Sequence, residues 1–309
     1  MPALAAAFRT LQFVSPAQAA RVAELVFFMP PRTRLTPEQR ETIERARPFT
    51  VRADGARIAA WTWGDGPVVY LVHGWGSRGA RLAAFVPALL AAGYQVVTHD
   101  APGHGASDGR LSSMPQFART LMAVVDAVGP AAGVITHSMG GSATTLAMHW
   151  GLRVPRAAFI APAADPPVWV GQFALALGLR EDTVARMKAR SERRLGLAWE
   201  ALHVPTMARR MDAPLLIVHD RDDDVVPVSD GEAIAQAWPG ARLVRTDGLG
   251  HKLIVRTPAV VTQVVEFIGR AAPAGAAGVT AGRRSDARWL DQHLFYRETR
   301  ARPSQPWRA

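Results

Sequence analysis

Ser138 stands in the run Thr136-His137-Ser138-Met139-Gly140-Gly141, between an apolar stretch that reads as a buried strand and an Ala-rich stretch that reads as a helix. A sharp strand-to-helix turn forces its central residue into a strained backbone conformation and projects that side chain away from the sheet. Small residues two positions away let strand and helix cross closely, and the helix N-terminus favours negative charge developing beside the serine. A serine so placed is a candidate nucleophile, and it needs a base and a group that orients the base. His251, in Asp247-Gly248-Leu249-Gly250-His251-Lys252, is one of nine histidines and a candidate base, whose two preceding glycines would let its loop approach without steric cost. The run Asp220-Arg221-Asp222-Asp223-Asp224 offers the orienting carboxylate. Chemistry alone leaves Asp222, Asp223 and Asp224 open. Neighbouring carboxylates raise one another's pKa, and only one can face the imidazole.

These residues need a rigid frame, and the hydrophobic pattern supplies one. VVYLVH (68–73) is a continuous apolar run, as expected of a strand buried on both faces. YQVVTHD (94–100), AGVITH (132–137), RAAFIAP (156–162), PLLIVHD (214–220) and ARLVRTD (241–247) read as further strands. Helices are expected over 78–92, 115–128, 139–150, 229–238 and 257–269. Strands alternating with helices imply a mostly parallel sheet covered on both faces. Ahead of the series, FTVRADG and ARIAAWTWG read as a hairpin closing at Asp54-Gly55. Residues 163–211 interrupt the rhythm with helical stretches and no convincing strand, as a cap over the sheet would. Residues 1–50 form an N-terminal helical arm, with helices expected over 16–29 and from Thr36. Residues 271–309 read as a flexible linker and tail. The core is then 51–162 with 212–270.

Four motifs in this order resemble those of the α/β-hydrolases, over roughly residues 51–270. The run around Ser138 is similar to the G-x-S-x-G nucleophile elbow, with Thr136 in place of the first glycine. His73-Gly74-Trp75-Gly76 is similar to the family's HG motif, which implies that Trp75 N–H and Met139 N–H form an oxyanion hole. His73 itself reads as a structural histidine holding that loop. The family's G-x-x-D-x-x-V-P pattern aligns Asp223 with the orienting acid and puts Asp220 where a glycine is usual. Asp100-Ala101-Pro102-Gly103-His104-Gly105-Ala106-Ser107 is similar to the D-x-P-G-x-G-x-S turn and reads as scaffold. The order Ser138, Asp223, His251 is that of the family. The resemblance implies the α/β-hydrolase fold and a carboxylesterase-like serine hydrolase acting through an acyl-enzyme. An ester or thioester substrate is expected, with an apolar acyl part suggested by Val168, Trp169, Phe173 and Leu175 of the cap. The same triad also serves perhydrolysis and C–C bond hydrolysis, and a non-catalytic binding protein on this fold is the reading from another class.

Composition bounds the rest. The chain has no cysteine, which excludes disulfides, thiolate catalysis and Cys-ligated metals. No cofactor or metal is expected. His104 lacks His or Asp partners at ligand spacing, and no phosphate-cradling glycine loop is present. The net charge is +10, but residues 51–269 hold 21 basic against 19 acidic side chains. The excess lies at the ends, with seven Arg against four acids in residues 1–50 and eight against three in 270–309. A neutral body argues against nucleic acid as partner. With so much Ala, Gly and Pro, a codon-composition bias is the plain reading of the Arg-rich ends; a terminal electrostatic anchor, for peripheral contact with anionic lipid or for nucleic acid, is the sharper alternative. No stretch is long and apolar enough to span a membrane. The first twenty residues lack the basic start of a signal peptide, so a cytoplasmic location is expected. Oligomeric state is not readable.

Overall fold

The computed structural model describes residues 2–270; the expected linker and tail, 271–309, lie outside the described residues. The strands are β1 (Arg47–Ala53), β2 (Ala56–Trp63), β3 (Val68–Val72), β4 (Gln95–His99), β5 (Ala131–His137), β6 (Ala157–Ile160), β7 (Leu215–Asp220) and β8 (Arg242–Thr246). They make one sheet in the order β1-β2-β4-β3-β5-β6-β7-β8. Only the pairings β1–β2 and β2–β4 are antiparallel; β4, β3 and β5 to β8 run parallel. This is the α/β-hydrolase fold. The hairpin closes at Asp54 and Gly55, both with positive φ, as a two-residue turn of this hand requires.

Alternation along the central strands assigns the two faces. Tyr70, Val72, Val134, Phe159 and Ile217 pack on one side with Phe117, Leu121 and Val124 of helix Met114–Val128 and Leu146 of helix Met139–His149. Val69, Leu71, Ile135, Ile160, Leu216 and Val218 pack on the other with Val86, Leu89 and helix Pro258–Gly269. Both faces of β3 are therefore dry, and all five of its residues are buried. The segment expected as a helix over 78–92 is instead a 3-10 turn, Gly79–Phe85, followed by helix Val86–Ala91. The 3-10 stretch is itself kinked at Leu82, and Pro87, which has no N–H to continue a ladder, lies in the first turn of the second piece.

Residues 163–211 contain helices Pro166–Leu177, Glu181–Leu195 and Val204–Ala208. Ahead of the sheet stand three helices, Pro2–Val14, Pro16–Phe27 and Pro37–Glu44; the first was not expected from the sequence. Ser15 separates it from the second, accepting from Gln18 N as an N-cap ahead of Pro16. The second helix is clamped to Glu181–Leu195. Buried Glu24 accepts from Arg190 Nε at 3.0 Å and Arg194 Nε at 2.7 Å, and the Arg194 guanidinium lies 4.5 Å from the Phe28 ring. Phe27 meets Phe173 and Trp199 edge to face. Beyond it the arm runs on to the sheet, where Cβ atoms added at Gly103 and Gly76 would lie 3.3 Å from Pro30 Cγ and 2.8 Å from Pro31 Cγ.

Candidate active site

Parallel strands end on one edge, so the loops after β3, β4, β5, β7 and β8 gather there, where ligands bind in open α/β sheets. Ser138 follows β5 with φ 56° and ψ −129°, a left-handed conformation that an L-residue holds at a cost of about 1–3 kcal/mol. Its N–H donates to Ile160 O at 2.9 Å, and its carbonyl accepts from Gly141 N at 2.9 Å. Packing makes the turn possible. A Cβ on Gly140 would lie 2.5 Å from Val72 O, and one on Gly141 would lie 3.2 Å from Thr136 Oγ1. Thr136 in the place of the first glycine is thus accommodated by the glycine facing it, and its hydroxyl is buried without a hydrogen-bond partner among the described residues.

The loop after β3 passes directly over the serine. A Cβ on Gly74 would meet Ser138 Cβ at 2.7 Å and Oγ at 3.2 Å. The next amide in the chain is Trp75 N–H, and the first amide of the helix after Ser138 is Met139 N–H. Neither donates to another protein group among the described residues. Neutral imidazoles fix this loop. His73 donates from Nδ1 to Gly74 O at 2.7 Å and accepts at Nε2 from Ala101 N at 3.0 Å. His104 donates from Nδ1 to Pro102 O and accepts at Nε2 from Gly76 N at 3.0 Å. Burial pushes both down to about 3, each helped by other positive groups nearby. Each therefore keeps the lone pair that its amide partner needs.

Asp223 and His251 meet across the loops after β7 and β8, with His251 Nδ1–H donating to Asp223 Oδ2 at 2.8 Å. Asp223 is also flanked by His219 Nε2 at 3.5 Å, and its Oδ1 accepts from Val225 N at 2.9 Å and Val226 N at 2.8 Å. Burial opposes its ionisation, but hydrogen bonds from His219, His251, Val226 and Val225 outweigh this and hold the carboxyl well below the usual range. Asp222 turns elsewhere and accepts from Gly248 N at 2.9 Å, while Asp224 is exposed. His251 is tied back to the elbow: its carbonyl accepts from His137 Nε2 at 3.0 Å, and the two rings lie 4.5 Å apart. Among the described residues, no hydrogen bond joins Ser138 Oγ to the His251 ring. Of the apolar side chains expected of a cap, Phe173 packs on Phe27, whereas Val168 and Leu175 are 50% and 85% exposed.

Sequence reasoning passed over three residues that the structure puts to work. His219 is fully buried beside Asp223; His137 anchors the His251 loop; Asp220 gathers hydrogen bonds from both loops. Only Asp220 left a signal in the sequence, as a carboxylate where a glycine is usual. No group of three or more His, Cys, Asp or Glu that could hold a metal exists among the described residues.

A family model described as "Alpha/beta hydrolase family" matches residues 69–264. A non-heme haloperoxidase from Rhodococcus erythropolis is 28% identical, over 72% of this chain and 99% of its own. A bifunctional esterase/perhydrolase from Acinetobacter calcoaceticus is 25% identical, over 66% of this chain and 92% of its own. The crystal structure of an esterase from a Rhodococcus species superposes with a TM-score of 0.56 at 25% identity, covering 72% of this chain and 98% of that one.

Proposed function

From the alpha/beta hydrolase family, to which this chain belongs, we propose that it is a serine hydrolase cleaving an ester or thioester through an acyl-enzyme on Ser138. The observation that carries the reading is the 2.8 Å bond from His251 Nδ1–H to a carboxylate held ionised, in a loop tied to the very turn that bears Ser138. With Nδ1 donating to Asp223, the proton-accepting lone pair of His251 is on Nε2. In this reading Nε2 takes the Ser138 Oγ proton as the oxygen attacks the acyl carbonyl. The tetrahedral oxyanion lies between Trp75 N–H and Met139 N–H, which donate to no protein group among the described residues. Collapse releases the alcohol or thiol, protonated by His251. Water then repeats the sequence on the acyl-enzyme, with His251 as base. Fixed backbone donors of this kind are worth about 2.7–4 kcal/mol each in the transition state.

The name of one relative, the bifunctional esterase/perhydrolase, favours one second reading, a perhydrolase. There, hydrogen peroxide rather than water attacks the acyl-enzyme and releases a peracid. The two readings share Ser138 and differ in the acceptor.

The test is labelling with a fluorophosphonate, followed by turnover of esters of graded acyl length and by peracid formation from acetate and hydrogen peroxide. Wild type is expected to label, and Ser138→Ala to lose both label and turnover while remaining folded. A folded Ser138→Ala variant that labels like wild type would overturn the assignment. A wild type that neither labels nor turns over would favour a non-catalytic protein on this fold.

A further inference from the structure

Asp220 is the last residue of β7 and is fully buried. Its two oxygens accept four hydrogen bonds. Oδ1 takes Asp222 N at 3.0 Å and Gly250 N at 3.0 Å, and Oδ2 takes Thr246 Oγ1 at 2.7 Å and Leu249 N at 3.1 Å. Three of the four donors belong to residues 246–250, the segment that delivers His251. With Asp222 holding Gly248 N, three consecutive amides ahead of His251 are all taken by carboxylates of one turn. We propose that Asp220 is a positioning residue: it fixes the backbone of the loop that carries His251, and so the imidazole relative to Ser138. The proposal rests on the reading of His251 as base given above.

The segment needs such a partner. Gly248 and Gly250 both have positive φ, +73° and +58°, and glycine has more conformational freedom to lose than any other residue. Nothing in the loop's own side chains closes it, because Leu249 is apolar and Asp247 turns outward to Arg221. A base displaced by as little as about 1 Å can lose about a hundredfold in rate. The chemistry of the site calls for a carboxylate rather than its amide. All four groups pointing at Asp220 are donors, so an amide would turn an N–H2 towards one or more N–H groups. Burial opposes ionisation here too, but the bonds from Thr246, Gly250, Leu249 and Asp222 prevail and hold the carboxyl below its ordinary value.

The sheet does not depend on this side chain. The β7–β8 register is carried by five backbone-paired positions from Leu216 to Asp220, and Arg221 N donates to Thr246 O at 2.9 Å. Glycine is the residue usual at this place, so the backbone accepts its loss. Asp220→Gly is therefore expected to fold, and Asp220→Asn keeps the shape but replaces one of the two acceptor oxygens with an N–H2.

The experiment compares full-length wild type, Asp220→Gly, Asp220→Asn and Thr246→Val. It reads kcat and KM on a p-nitrophenyl ester, thermal melting, and the downfield NMR resonance of the His251 Nδ1 proton shared with Asp223. Both Asp220 variants are expected to lose about ten- to a hundredfold in kcat, with KM within about twofold. Thr246→Val, which removes one donor of four, should lose only a few-fold. The Nδ1 proton should exchange faster with water in the Asp220 variants. Folded Asp220→Asn with unchanged kcat and an unchanged Nδ1 resonance overturns the proposal. So does a loss of activity that only follows the folded fraction. The NMR signal needs no substrate, so the proposal stands or falls separately from hydrolysis: failure of wild type to label with a fluorophosphonate strikes the reading of Ser138 and leaves the resonance comparison intact.

Discussion

On the side of β3 and β4, the amides that shape the site are held by groups shifted against charge. Neutral His104 takes Gly76 N–H, neutral His73 takes Ala101 N–H, and Asp100, which takes Gly79 N–H and Ala106 N–H at 2.7 Å each, is pushed upward by burial. On the side of β7 and β8, the same task falls to carboxylates shifted towards charge, Asp220 and Asp223. The difference follows from the number of donors to be satisfied. An imidazole offers one acceptor and costs little to bury, which suits a loop fixed at a single amide. A buried carboxylate needs its lone pairs filled, and the turn after β7 with the glycine-rich loop after β8 supplies several donors to each. The first side is rigid because it is dry. The second is rigid because it is saturated with hydrogen bonds.

Removing the charge on the carboxylate side should give the largest effect. Asp223→Asn is expected to lower kcat by several orders of magnitude; the corresponding change in the well-studied serine protease triad costs about 10⁴. Asp222→Asn, at an exposed carboxylate holding one amide, should cost far less, and Asp224→Asn less again. Steady-state kinetics on one ester checks all three. If Asp222→Asn or Asp224→Asn proved the damaging change and Asp223→Asn the mild one, the distinction drawn between these carboxylates would collapse.

On the imidazole side the expected loss is smaller, because the residue acts through the loop. His104→Phe removes the acceptor for Gly76 N–H while filling a similar apolar space beside Phe117. Since losing an oxyanion donor outright costs about 10²–10³ in kcat, loosening its loop should cost about tenfold to a hundredfold, with KM little changed. A His104→Phe enzyme as fast as wild type would show that Trp75 N–H needs no such support.

Acid should separate the two sides by stability alone. Above pH about 6.5 these histidines are neutral whether folded or unfolded. Below it the unfolded chain binds protons that folded His73 and His104, pushed down to about 3, and His99, pushed down to about 4 by burial, do not. Stability contributed by these residues is therefore lost progressively as pH falls from about 6.5 towards those values. Asp223 has its folded value lowered, so its contribution is present above the unfolded carboxylate value of about 3.9 and lost only on further acidification. Melting temperature measured from pH 7 to pH 4 should fall, and His104→Phe should flatten the fall. An equal slope in wild type and variant would remove His104 from that account.

Much of the frame was legible in the sequence, because its signals are local. A run such as VVYLVH is dry on both faces wherever it lies in a sheet, and the turn around Ser138 carries its small residues within three positions of the serine. Helix Pro2–Val14 was missed because its apolar spacing is masked by small residues and its stop signal, Ser15-Pro16, also starts the next helix. The destination of the arm was not legible either: six of the eight strands lie in the chain between Glu24 and its partners Arg190 and Arg194. The division of labour in Asp220-Arg221-Asp222-Asp223-Asp224 shows the boundary best. Sequence fixes that the acids stand there, in the order that follows Ser138 and precedes His251. Which of them meets the imidazole, which holds a glycine amide and which is left to solvent depends on donors 26 to 30 residues downstream. Those donors arrive only when β8 pairs parallel to β7 and lays its loop against the turn, because a carboxylate's role is set by the hydrogen-bond donors it meets in space.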